Sequence, residues 1–394
     1  MFYVNTLIPE QIGMFTGREK SAWETLFDGG TIDLTEWKRT PVATYTRAYP
    51  EEKRDEIKYS ERTVALTTYY LDKFYKERKV TFEKVRFDRN NQYETFKLPK
   101  RSGGFRTISA PKAELKSAQS QLAQLLSHVV PGYHTAAYAY IPGRWTKDAV
   151  ERHQNNQSQW FMKTDLHDFF GSSNKDFVMS QIMKIIPFPA LEESLKQKHM
   201  SLEDLLDICF IYNEKERLVL PQGSPASPML TNLIMIPVDY AISRWCSENH
   251  VIYTRYADDM LFSARLPMDK EKILAMVHDC LHGTPYLINE KKTRYGSVAG
   301  SNWNLGMILN KENNITIGYK NKQELKAILN SFILDTVHGK TWEMEDVYAF
   351  CGKLNYYHDI EPEYIKNLID KYTHKYAISF KDQVLKTYGI KMKL

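Results

Sequence analysis

VIYTRYADDMLFSA, residues 251–264, alternates apolar and polar residues around Ala257-Asp258-Asp259. That spacing predicts a β-hairpin with the two acids at its tip. An Asp pair at a hairpin tip is, by itself, ordinary turn chemistry. A second stretch makes it more than that. QWFMKTDL (159–166) reads as a buried strand, and it too ends in an acid, Asp165. Acids at the rims of buried strands are unfavourable unless a cation offsets them. Three carboxylates meeting at one sheet edge would repel one another and take up hard cations such as Mg²⁺. Two such ions about 3.5–4 Å apart stabilise both the attacking and the leaving oxygen of a phosphoryl displacement.

Working outward from this centre, the chain reads as α+β. Upstream, residues 61–80 have helical spacing with a basic end, and 82–99 read as strand. RSGGFRTISAP (101–111) then carries a Gly103-Gly104 hairpin turn, and 112–128 form an amphipathic helix. Residues 175–210 read as mostly helical. Pro221–Pro228 is a loop leading into a helix over 229–247. Downstream, 269–282 read as helix, 303–309 and 314–319 as strands, and 321 to the end as helical. Residues 1–60 are aromatic and punctuated, and no role is assigned to them. They suit an RNA-binding extension, an oligomerisation surface or part of the fingers.

The chain has 394 residues, enough for two or three subdomains. No apolar run approaches the ~18 residues of a membrane span, and no secretory leader is recognisable, so a cytoplasmic protein is expected. The four cysteines are scattered, which argues against a zinc site or a disulfide framework. The net charge of +5 is mild but uneven. Residues 71–120 hold 13 Lys/Arg against 6 Asp/Glu, and 366–394 hold 7 Lys against 2 Asp. Two basic regions point to an anionic partner.

Three motifs in one order carry a resemblance. Tyr256–Asp259 (YADD) resembles the catalytic box of reverse transcriptases. Thr164–Phe170 (TDLHDFF) resembles their first acidic motif, and Leu220–Asn232 (LPQGSPASPMLTN) the motif between the two. The resemblance covers roughly 95–375. It implies a right-hand polymerase: fingers at 61–158, a palm of antiparallel sheet and helices at 159–310 with a helical insertion at 175–220, and a helical thumb at 311–394. Asp165, Asp258 and Asp259 would hold two Mg²⁺ ions, with Mn²⁺ an alternative.

The remaining roles follow from the same resemblance. LPKRSGGFRTISAP (98–111) resembles the fingers hairpin, whose Lys100 and Arg106 would bind the triphosphate of a dNTP; two cations flanking a Gly-Gly turn suit phosphate. Phe170 would be the steric gate that excludes a ribose 2′-OH. Gln222 would contact the incoming nucleotide, and Gly223 would let backbone approach the template. Lys292, with Lys291 as runner-up, would protonate pyrophosphate or steady the active conformation. Tyr256 and Gly306, the latter in a hairpin like a primer grip (WNLGMILN, 303–310), would touch primer and template.

AYIPGRWTKDAVERH (139–153) resembles a retron-type signature ending N-A-x-x-H, with Asp148 in place of Asn before Ala149 and His153. VAG at 298–300 stands nearest to the V-T-G of that group. These departures favour a defence-associated relative of retron enzymes that copies a dedicated non-coding RNA into DNA. Partners would be that RNA, the nascent DNA and dNTPs, without a membrane. Alternatives are an RNA-synthesising polymerase, an untemplated or protein-primed DNA nucleotidyltransferase, and a catalytically silent RNA-binding scaffold. YADD and Phe170 speak against the first, and the intact acids against the last.

Overall fold

The computed structural model describes residues 69, 71–74, 76, 81–100, 103–129, 133–185, 195–196, 200–300 and 303–392. The segment 1–60 and most of the helix expected over 61–80 lie outside them. The described residues form an α+β chain, as expected, and divide into two compact units. The first comprises residues up to Ala149 with 162–263 and 268–295. The second comprises 150–161, 264–267 and 296–394.

The first unit begins with a long hairpin. β1 (Tyr93–Pro99) pairs antiparallel with β2 (Phe105–Pro111), Leu98 facing Arg106. Residues 103 and 104 turn the chain with φ of +88° and +78°, a conformation open to glycine. The strand expected from 82 begins only at 93. Residues 81–87 are helical instead. Thr81 and Val85, four apart, both point inward there, a helical spacing hidden inside a stretch rich in β-forming residues. α1 (Ala113–Val129) follows, then α2 (Thr146–Asn155). Asp148 accepts from the Trp145 backbone N–H at 2.8 Å, a helix-start role.

β3 (Trp160–Asp165) lies inside a four-stranded sheet. After it come α3 (Phe169–Ser172), α4 (Lys175–Ile185), α5 (Leu202–Leu206) and a small hairpin of β4 (Ile211–Tyr212) and β5 (Leu218–Val219), which the sequence reading missed. The helix expected over 229–247 is two helices, α6 (Ser227–Ile234) and α7 (Ile236–Glu248). The break falls at Met235, where Pro237 cannot supply a helical N–H. β6 (Ile252–Tyr256) and β7 (Asp259–Ala264) form the expected hairpin, and α8 (Lys270–Leu281) packs against α7.

The sheet order is β6-β7-β3-β8, where β8 is Arg294–Ser297. β3 runs antiparallel to β7: the Gln159 N–H reaches the Ala264 carbonyl at one end, and the Leu166 N–H reaches the Asp258 carbonyl at the other. Central strands are buried on both faces, which is why FMKTD and MLFSA read as apolar runs. Tyr253 and Phe262 face each other across β6 and β7 with rings stacked 5.0 Å apart. Burying each such ring contributes about 1.5–3 kcal/mol.

The second unit contains a three-stranded sheet, β9 (Trp303–Asn304), β10 (Met307–Leu309) and β11 (Ile315–Thr316). The strand expected over 314–319 stops at 316, because the next helix starts at Gly318. Four helices complete the unit: α9 (Gly318–Val337), α10 (Met344–Ile360), α11 (Pro362–Tyr376) and α12 (Phe380–Tyr388). Phe332, Phe350 and Phe380 lock α9, α10 and α12 edge to face, 5.1–5.6 Å apart.

Candidate active site

The three acids converge because the sheet order brings their strands side by side. Asp165 is the last residue of β3, and its backbone carbonyl accepts from the Asn289 N–H at 2.8 Å. Asp258 stands in the turn of the neighbouring hairpin, and Asp259 begins β7, paired with Tyr256. Tyr256 is therefore the last residue of its strand, one step from the acids.

The electrostatics are those of crowded like charges. Burial pushes the Asp258 carboxyl pKa up, and the charges of Asp259 and Asp165 push it further. Asp165 is 4% exposed. One of its oxygens, Oδ2, accepts from the Lys292 ammonium at 2.7 Å, while Oδ1 is buried without a hydrogen-bond partner. Lys163, on β3, meets Asp259 Oδ1 at 3.0 Å across the strand pair. Two lysines thus offset two of the three carboxylates. Among the described residues no His, Cys, Asp or Glu trio closes to metal-liganding distance. The donor set nonetheless fits a hard divalent cation. It is all carboxylate oxygen, it is short of positive charge at Asp258, and it holds a buried carboxylate oxygen with nothing to bind.

Lys292 lies in a single 3₁₀ turn, Glu290–Lys292. Its hydrogen bond to Asp165 raises its pKa and holds the ammonium charged. Of the two lysines weighed there, Lys292 is the one joined to the acids.

The turn itself is strained. Ala257 is buried at φ +57°, a left-handed conformation that costs a non-glycine residue on the order of 1–3 kcal/mol. A fully buried network holds it there. Arg255 clamps Asp239 of α7 with two bonds, 2.8 Å from Nε and 2.7 Å from Nη2. Its Nη1 donates to the Ala257 carbonyl at 3.0 Å and to Asn232 Oδ1 at 3.1 Å. The Tyr253 hydroxyl donates to the same Asp239 oxygen, and Asn232 Nδ2 donates to the Ala139 carbonyl. The sequence reading had no role for Asn232 and did not single out Arg255 or Asp239. The available signal was a lone charge in each of two apolar runs, VIYTRY and IPVDYAI.

The adjacent phenylalanines have separate fates. Phe169 is buried, its ring 5.1 Å from Tyr286, and belongs to the core. Phe170 is half-buried, its ring 5.6 Å from that of Phe169. Gln222 is half-buried, and its carbonyl accepts from the Ser109 N–H of β2 at 2.8 Å. At Gly223 (φ +123°) a Cβ would meet the Ser109 carbonyl at 3.0 Å and Ile108 Cγ2 at 3.1 Å. The glycine is therefore required where this loop packs on the hairpin. Lys100, in the hairpin turn, and Arg106, on β2, are both exposed. In the second unit, Gly306 (φ +85°) and Leu305 (φ +54°) form the two-residue turn between β9 and β10.

His153 was noted only as part of a signature. It is fully buried in the second unit, and burial, with the nearby Arg152 charge, lowers its pKa to about 3.

The family described as "Reverse transcriptase (RNA-dependent DNA polymerase)" matches residues 98–329. Among curated proteins, the chain is 29% identical over 293 residues to the Retron Ec83 reverse transcriptase of Escherichia coli, covering 71% of this chain and 86% of that protein. It is 28% identical over 247 residues to the Retron Mx65 reverse transcriptase of Myxococcus xanthus, covering 62% of this chain and 56% of that protein. Among solved structures, a telomerase from Candida albicans in complex with a fragment of telomeric RNA superposes with a TM-score of 0.41 at 13% identity. That match covers 77% of this chain and 66% of that one. No helix among the described residues is long and apolar enough to cross a membrane.

Proposed function

The chain belongs to the reverse transcriptase family, the RNA-dependent DNA polymerases, and on that premise we propose that it copies a dedicated non-coding RNA into DNA in a cytoplasmic anti-phage defence system. The right-hand polymerase fold comes with the family. The single observation that carries the catalytic reading is Asp165, buried beside the Asp258-Asp259 turn with one oxygen on Lys292 and the other without a partner. The likeness to enzymes named for retrons supports a fixed RNA template.

In this reading Asp165, Asp258 and Asp259 hold the divalent ions, Mg²⁺ first. Bound there, the ions would activate the primer 3′-OH and neutralise the departing pyrophosphate. The chain's own residues do the rest. Lys100 and Arg106 hold the triphosphate. Gln222 orients the incoming nucleotide, and the Phe170 ring fills the space that a 2′-OH would need. Lys292, held charged beside Asp165, carries a proton for the leaving group. Tyr256 and Gly306 bear on the primer–template duplex. Fingers (61–158), palm (159–310) and thumb (311–394) are the corresponding subdomains.

The test is to purify the protein from its host and sequence the nucleic acid that accompanies it. The expected result is one abundant structured RNA, with complementary DNA that disappears in Asp258→Asn. DNA of no templated sequence would favour untemplated synthesis and remove the dedicated template.

A further inference from the structure

The geometry points to Tyr140 as a nucleotide-contacting residue of the active site, its ring packing against the base of the incoming nucleotide beside the YADD turn. This rests on the polymerase reading above and adds to it a residue that no motif assigned.

Three observations carry the argument. First, the segment 136–140 is bolted alongside β6. The Arg255 N–H donates to the Ala136 carbonyl at 2.6 Å, the Tyr138 N–H donates to the Arg255 carbonyl at 2.9 Å, and residues 137 and 255 form a parallel bridge. Asn232 Nδ2 fixes the Ala139 carbonyl at 2.7 Å, and Arg144 Nη1 holds the carbonyls of Ala137 and His134. The same Arg255 and Asn232 brace the catalytic turn, so this segment and the acids share one rigid frame.

Second, within that frame Ala139 and Ile141 are buried at 0% and 4%, while the tyrosine between them is 53% exposed. An aromatic ring left in solvent between two buried neighbours, on a backbone this firmly held, is positioned without being packed. Third, Tyr140 stands at φ +61°. A bulky side chain is disfavoured there, and such outliers persist where the surroundings over-determine them, often at ligand sites.

The backbone register places the ring: the parallel bridge pairs residue 137 with 255, so three residues further on Tyr140 stands level with Asp258 at the tip of the β6–β7 hairpin. The phenol accordingly responds to the charges of Asp258 and Arg106, with burial the largest influence on it. The ring therefore stands beside the YADD turn. That is the space of a nucleotide being added, and an aromatic face suits any of the four bases.

The experiment compares wild type, Tyr140→Gly and Tyr140→Phe on a poly(rA)/oligo(dT) duplex with dTTP. Glycine accepts φ +61° without strain, so Tyr140→Gly removes the ring while leaving the backbone as stable or more so. The expected result is a KM for dTTP raised about tenfold in Tyr140→Gly, as for loss of one base–aromatic stack. Tyr140→Phe should stay near wild type, and duplex Kd and Tm should hold in both. An unchanged dTTP KM in Tyr140→Gly overturns the assignment. So does a weakened duplex Kd with unchanged KM, which would give the ring to the primer–template. A wild-type protein that incorporates no dTTP would instead sink the polymerase reading itself, before any variant is compared.

Discussion

Arg255 separates stability from catalysis at one site. Replacing it with Met leaves Asp239 buried at 0% exposure with only the Tyr253 hydroxyl as partner. Removing one member of a buried ion pair costs about 3–5 kcal/mol. Replacing the pair with apolar residues of similar volume is often close to neutral. The informative variant is therefore Arg255→Met with Asp239→Leu and Tyr253→Phe. The third change is needed because the Tyr253 hydroxyl would otherwise be orphaned. This triple variant still leaves the buried Asn232 Oδ1 without its donor, so it should lose about 1–3 kcal/mol, clearly less than the single variant. It also lacks the donor to the Ala257 carbonyl, worth about 1 kcal/mol, against a left-handed alanine costing on the order of 1–3 kcal/mol. The turn then relaxes, and a 1 Å misplacement of reacting groups costs about 10²-fold in rate. Urea unfolding and single-nucleotide dTTP incorporation, measured together, provide the assay. Wild-type turnover in a folded triple variant would refute the positioning role. A stable Arg255→Met single variant would refute the electrostatic argument.

Three further outcomes follow from the geometry. Phe170→Ala should relax discrimination against ribonucleotides while folding normally, whereas Phe169→Ala should lose about 3–5 kcal/mol of stability; competition between dTTP and UTP, with thermal melting, checks both. Gly223→Ala should be destabilised by about 1–3 kcal/mol, read by melting, since its Cβ would press on the Ser109 carbonyl at a φ of +123°. His153 refuses a proton until about pH 3, while the unfolded chain takes one near pH 6.5. Stability should be full above pH 6.5 and fall by up to about 1.4 kcal/mol per pH unit below it, and His153→Gln should remove that slope in urea titrations.

Much of the candidate site was legible because the chemistry proposed for it resides in residue types. Carboxylates that end apolar strands announce themselves in any reading frame, and period-two patterning placed β3 and the β6–β7 hairpin within a residue or two. The supporting frame was not legible. Arg255 and Asp239 lie 16 positions apart on different elements, and only the packing of α7 against β6 brings them together. The left-handed backbones of Ala257 and Tyr140 leave no trace in composition, since glycine is the usual marker of that conformation. The misread start of β1 has a simpler cause. TFEKVRF is rich in β-formers, and its tertiary contacts override that propensity. Between the candidates Phe169 and Phe170, or Lys291 and Lys292, only burial and the bond to Asp165 discriminate.

The central claim is that three carboxylates of the palm sheet drive template-directed DNA synthesis. It is tested most directly by incorporation of labelled dTTP and UTP on poly(rA)/oligo(dT), with and without Mg²⁺, by wild type and Asp258→Asn. The account predicts Mg²⁺-dependent dTTP incorporation by wild type, little UTP incorporation, and no synthesis by an Asp258→Asn protein that still folds and binds RNA. Incorporation of UTP alone, or full activity in Asp258→Asn, would contradict it.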